Sequence, residues 1–147
     1  MAIPKVYSIE SLNEGYVEKL SFSINQDHME MFAQLSGDIN PIHTSSKFAQ
    51  NKGFQDTVVY GALMVAKLSQ MIGMHLPGRD ALWNGLKINF INPLMVDQEA
   101  ELITEVAHIS VATSSIELKF EINANGKIIA KGSASVMIYL GTGNTHE

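Results

Sequence analysis

The stretch VVYGALMVAKLSQMIGMHL, residues 58–76, decides how this chain folds. It is the longest apolar run, and its apolar side chains occupy almost every face of the helix that it predicts. A helix of this kind is usually buried on most sides. Lys67 and His75 make it a poor membrane span. Leu76-Pro77-Gly78 stops it, because proline cannot continue a helix. We therefore expect one central buried helix.

After this helix, apolar and polar residues alternate with the two-residue period of β-strands. Asn125-Gly126 is a strong two-residue hairpin turn. The sequence therefore predicts one central helix followed by an antiparallel sheet that wraps it, a two-layer α+β domain. No repeat, low-complexity tract or linker interrupts the chain, so we expect a single domain over residues 1–147. The predicted strands cover residues 86–90, 99–109, 116–122 and 128–138.

Upstream of the helix, residues 19–24 alternate as a half-buried strand. A short helix follows, capped by Asn25 or Asp27 and ended by Gly37. A further short helix is expected over residues 45–51. The first of these helices carries the apolar side chains Met29, Met31, Phe32 and Leu35.

Composition narrows the class of protein. Hydrophobic residues make up 46% of the chain and charged residues 17%, which favours a packed core. The absence of cysteine excludes disulfides, a thiol nucleophile and cysteine-ligated metal. The net charge of -5 and the lack of a Lys/Arg cluster argue against a nucleic-acid partner. Because the N-terminal sequence has no apolar core like that of a signal peptide, we expect a soluble, cytoplasmic protein with no membrane partner.

The segment FAQLSGDINPIH, residues 32–43, carries the candidate chemistry. Asp38 and His43 lie five residues apart across a turn constrained by Pro41. A turn exposes side chains to a cleft, and a carboxylate beside an imidazole is a suitable pair for moving a proton. Spacing alone favours a different interpretation: Asp38 is a turn residue at the helix C-terminus, Asn40-Pro41 is a plain turn and His43 is a surface histidine.

This segment resembles the signature of the MaoC-like (R)-specific enoyl-CoA hydratases, which runs aromatic, then Ser-Gly-Asp-x-Asn-Pro-hydrophobic-His. Every fixed position is present. The resemblance continues through Phe48-Ala49, Val58 to Gly61 and Leu86 to Pro93, and covers roughly residues 21–138. It implies a hotdog fold, an antiparallel sheet around a long central helix. It also implies a hydro-lyase that interconverts trans-2-enoyl thioesters and (3R)-3-hydroxyacyl thioesters.

The resemblance also implies roles for individual residues. Asp38 and His43 would be the catalytic dyad for water at the β-carbon and the proton at the α-carbon, and either group can take either proton. Asn40 would orient the water or the dyad. The Gly61 N–H would donate to the thioester oxyanion, although tight packing of helix on sheet also explains a glycine there. Ser69 occupies the place of a serine near the family's site, or it is simply a polar residue at the helix edge.

One residue departs from the family. Tyr60 stands where the family often has a histidine before the glycine. Tyrosine still donates a hydrogen bond, and we expect it to contact the substrate and to change the pocket's shape. Met64, Met71 and Met74 on the central helix either line an acyl tunnel or fill the core; we count Met64 among the substrate-binding candidates.

No cofactor or metal is expected, because His28, His75, His108 and His146 do not show metal-ligand spacing. The acyl group would be carried on coenzyme A or on an acyl carrier protein. Two other functions are compatible with the fold: a hotdog thioesterase and a non-catalytic acyl-thioester binding module. The intact Asp-x-Asn-Pro-x-His segment argues against the thioesterase, since hotdog thioesterases place their carboxylate elsewhere.

The sequence also predicts a homodimer or a higher homo-oligomer. One sheet on one helix leaves strand edges to cover. Alternation places Ile103, Ile129 and Met137 on the outer side of the later strands. The resemblance implies the same assembly, because hotdog proteins typically pair edge to edge.

Overall fold

A computed structural model describes residues 1–141 of the chain. It contains five strands, four α-helices, a 3-10 turn near the N-terminus and one π-helical turn. Their bounds, in chain order, are the 3-10 turn Ile9–Ser11, β1 Val17–Phe22, α1 Gln26–Ser36, α2 Pro41–Thr44, α3 Ser46–Asn51, α4 Gly61–Gln70, the π-helical turn Met71–His75, β2 Ala81–Phe90, β3 Ala100–Ser110, β4 Ser115–Ala124 and β5 Lys127–Ile138.

The five strands form one antiparallel sheet in the order β1-β3-β4-β5-β2. Side chains from its inner face and from α4 belong to a single buried cluster, including Met64, Leu68, Leu102 and Leu118. Burying these apolar surfaces together is the main favourable contribution to folding. The predicted two-layer α+β arrangement, a sheet wrapped on one central helix as in the hotdog fold, is confirmed.

The central helix begins three residues later than predicted, at Gly61 rather than Val58. Val58 and Val59 are held in extended conformation instead. Val58 forms an isolated β-bridge with Met95, and the Val59 N–H donates to the Leu94 carbonyl at 2.8 Å. Burial is also less complete than predicted, since Ala62, Ala66, Ser69 and Gln70 form an exposed face of α4.

The structure of the sheet confirms the predicted hairpin, and it shows that the predicted direction of one side chain is wrong. Asn125 and Gly126 both have positive φ, 51° and 71°, as a two-residue hairpin turn of the primed type requires. Ile129, predicted on the outer face, is 1% exposed and belongs to the core. The cause is a shift of register between β4 and β5 next to the turn: Ile122 pairs with Ala130 and Asn123 with Ile128, which leaves Ile129 as the extra residue of a bulge.

The region before the central helix follows the predicted pattern with one addition. Asn25 caps α1, its side chain accepting the His28 N–H at 2.9 Å, and Gly37 ends the helix at φ 74°. The added element is α2, a single helical turn that begins at Pro41, where proline is well tolerated. Met31 and Leu35, predicted on the apolar face of α1, are exposed in the single chain.

The edges of the sheet are β1 and β2. On β2, Leu86 and Phe90 pair with Ala134 and Ala130, whose side chains lie in the core, so they face the helix side of the sheet. They are nevertheless 42% and 51% exposed, because nothing within residues 1–141 of a single chain covers that edge. Within residues 1–141, no helix has the length and apolar character needed to cross a membrane.

Candidate active site

The turn after α1 fixes the backbone around Asp38. The Asp38 N–H donates to the Ser36 hydroxyl at 3.0 Å, and one Asp38 carboxylate oxygen accepts the Asn40 N–H at 3.1 Å. Asn40 in turn caps α2, since its side-chain oxygen accepts the Ile42 N–H at 3.2 Å. Both polar side chains thus hold the turn in shape, and the second carboxylate oxygen of Asp38 remains for other partners.

His43 lies in the helical turn α2 with its ring held in one orientation. Its Nδ1 is 2.6 Å from the Val58 carbonyl oxygen. A carbonyl oxygen only accepts hydrogen bonds, so Nδ1 carries the hydrogen, and the neutral ring has its lone pair on Nε2. The main chain reinforces the contact, because the Val58 N–H donates to the Ile42 carbonyl at 3.1 Å. His43 is therefore prepared to accept a proton at Nε2.

His43 opens onto a cleft of about 460 Å³. Gly61 and Met64 at the start of α4 line it on the same side, and the segment from Phe90 to Leu94 forms the opposite wall. The lining is mostly apolar, with His43 and Asn92 as its polar side chains. Such a cleft suits a hydrocarbon chain that ends at one polar reacting group.

Gly61 is the first residue of α4 and presents its backbone to this cleft. A methyl group on its Cα would lie 2.9 Å from the tip of the Phe90 ring, which is itself part of the cleft wall. The first N–H groups of a helix have no partner within the helix, and their end carries the positive pole of the helix dipole. Within residues 1–141, the Gly61 N–H has no acceptor.

Tyr60 contacts both Asp38 and His43 of the turn, and it does not belong to the lining of the cleft. Its hydroxyl donates to the Asp38 carbonyl at 2.5 Å, and its ring stacks on His43 with centroids 4.1 Å apart. Burial, together with the nearby negative charge of Asp38, raises the pKa of Tyr60. Tyr60 therefore stays protonated and keeps its hydroxyl as a donor. In the single chain its side chain is 2% exposed.

The predicted site residues are only partly brought together. His43, Gly61 and Met64 line one cleft, while Asp38 and Asn40 lie on the adjoining exposed turn. Met71 is fully buried in the core. In the part of the chain that the structure describes, no ion pair joins Asp38 to His43. Ser69 lies on the exposed face of α4, outside the lining of this cleft.

Sequence reasoning missed two residues of the opposite wall. Phe90 covers Gly61, and Asn92 lines the cleft while its amide donates to the Ile128 carbonyl at 2.7 Å. The alternation of Leu86, Ile88 and Phe90 was a usable signal for Phe90, because it places that ring on the helix side of the sheet. No comparable signal marks Asn92, whose place depends on the bulge in β5.

The described residues, 1–141, contain no group of three or more His, Asp or Glu side chains that could hold a metal ion. Of the four histidines considered for metal-ligand spacing, His146 lies outside the described residues.

Comparison with known proteins finds similar sequences over most of the chain. An (R)-specific enoyl-CoA hydratase from Rhodospirillum rubrum is 25% identical over 133 residues, covering 90% of this chain and 92% of that protein. An (R)-specific enoyl-CoA hydratase from Aeromonas caviae is 32% identical over 99 residues, 67% of this chain and 74% of that protein.

The fold is shared as well. The solved structure of an (R)-hydratase from A. caviae involved in PHA biosynthesis superposes with a TM-score of 0.84 at 28% identity, covering 88% of this chain and 98% of that one. Residues 9–127 match the family described as the MaoC like domain, and because that match spans most of the chain, the protein belongs to this family.

Proposed function

We propose that this chain is a hydro-lyase that interconverts trans-2-enoyl-CoA and (3R)-3-hydroxyacyl-CoA. One observation carries the proposal: His43, with its lone pair on Nε2, and Gly61, whose N–H has no acceptor within residues 1–141, line the same mostly apolar cleft. The first is a base for water, and the second is a donor for the oxygen of an activated carbonyl. The names of the relatives support the substrate class, since they are hydratases of enoyl-CoA.

Hydration follows from these groups. A water molecule gives a proton to His43 Nε2 as its oxygen bonds to C3 of the enoyl group. The electrons of the C2–C3 double bond move toward the thioester, and the carbonyl oxygen becomes an enolate oxygen that accepts a hydrogen bond from the Gly61 N–H. Donors held in place where charge develops contribute strongly to rate. The protonated His43 then returns its proton to C2 and restores the thioester.

Asp38 completes the proton transfer from the adjoining turn. One of its carboxylate oxygens is occupied by the Asn40 N–H, and the other accepts a hydrogen bond from the attacking water, whose second hydrogen stays on the product hydroxyl. Because His43 both takes the proton from water and returns it to C2, water and proton reach the substrate from the same side. In the reverse direction the same groups remove the C2 proton and protonate the departing hydroxyl.

A hydration assay tests the function. We expect the protein to consume the conjugated enoyl chromophore of trans-2-enoyl-CoA substrates and to yield the (3R) alcohol on chiral analysis. In the reverse direction, (3R)-3-hydroxyacyl-CoA should react and its (3S) enantiomer should serve as the unreactive control. Release of free thiol from an acyl-CoA would instead identify a thioesterase. Tight binding without turnover across a series of chain lengths would identify a binding module.

We also propose that the working unit is a homodimer formed along the β2 edge. Leu86 and Phe90 are half-exposed apolar residues on that edge, and Phe90 is at the same time a wall of the cleft. Pairing two β2 strands would satisfy their free backbone groups and cover both side chains. The pairing would be symmetric, with each protomer offering the same patch.

The dimer gives a prediction with a matched control. Leu86→Lys should shift light scattering at micromolar concentration from a dimer toward a single 16.1 kDa chain, because it puts a charge into the proposed interface. Val17→Lys places the same charge on the opposite edge strand, at a residue equally exposed (43%), and should leave the dimer intact. A catalytically competent particle of one unmodified chain contradicts the proposal, and dissociation by Val17→Lys alone moves the interface to β1.

A further inference from the structure

Tyr60 occupies an unusual place for a residue next to a reacting centre. It is the last residue before α4, its backbone leads directly into Gly61, and its side chain turns away from the cleft into the protein. The ring packs between two aromatic neighbours, Phe32 of α1 at 4.6 Å and His43 of α2 at 4.1 Å between centroids. Tyr60 thus joins the turn between α1 and α2 to the start of the central helix.

The two acid–base groups are each held by Tyr60 and not by one another. The tyrosine hydroxyl binds the main-chain carbonyl of Asp38 at 2.5 Å, while the ring stacks on the His43 imidazole with 28° between the planes. Within residues 1–141, no ion pair links Asp38 with His43. Their relative placement therefore depends on the side chain that contacts both.

Each contact restrains a motion that the other bonds leave open. The Val58 carbonyl fixes His43 within the plane of its ring, and the stacked Tyr60 ring blocks tilting out of that plane. The Ser36 hydroxyl holds the Asp38 N–H, and the Tyr60 hydroxyl holds the carbonyl on the other side of the same residue. Reacting groups that are displaced by about 1 Å can lose roughly 100-fold in rate, so such restraints affect catalysis.

We propose that Tyr60 is the positioning residue of the catalytic pair: its hydroxyl sets Asp38 and its ring sets His43, without contact with the substrate. This inference rests on the proposed hydratase function. It replaces the expectation, drawn from the sequence, that Tyr60 binds substrate.

Tyr60→Phe isolates the hydroxyl, and Tyr60→Leu removes the ring as well. We expect Tyr60→Phe to lower kcat about 10-fold and Tyr60→Leu about 100-fold, with KM for the enoyl-CoA within about threefold in both, because the cleft lining is unchanged. Tyr7→Phe is the matched control. It also removes a hydrogen-bonded tyrosine hydroxyl, at a site where the partner is Tyr16, and should keep full activity.

Combining substitutions separates positioning from a merely structural role. In an Asp38→Asn background, Tyr60→Phe should lower the residual kcat by less than about twofold, because the hydroxyl acts through Asp38. In a His43→Ala background, the further loss caused by Tyr60→Leu should shrink in the same way. Losses that multiply in full, or an unchanged kcat in Tyr60→Phe, overturn the inference. If the unmodified protein hydrates no enoyl-CoA, the proposed function fails instead.

Discussion

Asp38→Asn and His43→Ala are each expected to lower the turnover of enoyl-CoA hydration by at least about 100-fold in a protein that remains folded. His43→Ala removes the Nε2 lone pair that accepts the proton of water. Asp38→Asn replaces an oxygen that accepts a hydrogen bond from that water with an amide group that donates instead. In Asp38→Asn the Asn40 N–H keeps an acceptor, the side-chain oxygen of the new asparagine, so the turn should survive.

Steady-state kinetics over several acyl chain lengths, with circular dichroism to verify folding, measure this effect. Asp27→Asn and His108→Ala are suitable controls, because both alter the same residue types at exposed positions away from the cleft. We expect both controls to retain activity. Near-normal hydration of every accepted substrate by either Asp38→Asn or His43→Ala would show that the site is elsewhere.

Gly61→Val should be nearly as damaging, again by about 100-fold or more, which is the typical effect of losing one oxyanion donor. A Cβ at this position points to the Phe90 ring, and the two further methyl groups of valine would fill the space beside the Gly61 N–H. The thioester could then no longer approach the backbone. Gly61→Ala should have a smaller effect, because its one methyl group meets only the tip of a half-exposed phenylalanine ring.

Gly73→Val provides the comparison for Gly61→Val. Gly73 belongs to the π-helical turn that continues α4, and a Cβ there meets no atom within 4 Å. Both variants replace glycine with valine, which has the higher intrinsic helix propensity, and they differ in what the side chain obstructs. We expect kcat to fall only in Gly61→Val. A folded and fully active Gly61→Val protein would remove the oxyanion role from this residue.

Much of the fold follows from local patterns in the sequence. Alternating apolar residues locate the strands, Asn25 and Gly37 mark the ends of α1, and Asn125-Gly126 marks the last hairpin. Ile129 shows where this reasoning fails. A bulge turns its side chain from the predicted outer face into the core. A bulge depends on the register between two strands rather than on the residue's own neighbours in sequence. The start of α4 was misplaced for a similar reason, since a bridge to Met95 keeps Val58 extended.

The candidate site likewise contains residues that the sequence predicts and contacts that it does not predict. Asp38 and His43 are predicted by the resemblance, because they belong to one short segment that contains the whole motif; their spacing alone does not distinguish them from a plain turn. The Tyr60 hydroxyl bond to Asp38 joins residues 22 apart in sequence, and the Val58 contact that fixes the His43 tautomer joins residues 15 apart. Neither pairing has a periodicity or a motif that would reveal it. The functional roles of all the predicted site residues remain predictions: Asp38, His43, Asn40, Gly61, Ser69, Tyr60 and Met64.

The two walls of the cleft come from separate parts of the chain. One wall carries His43 and Gly61, and the continuous segment 38–61 that contains them also carries Asp38 on the adjoining turn. The other belongs to the end of β2 and the segment that follows it, up to Leu94. Mutations in the second wall change the space open to an acyl chain and leave the reacting groups in place. Selection can therefore retune which substrates are accepted while the chemistry is inherited unaltered.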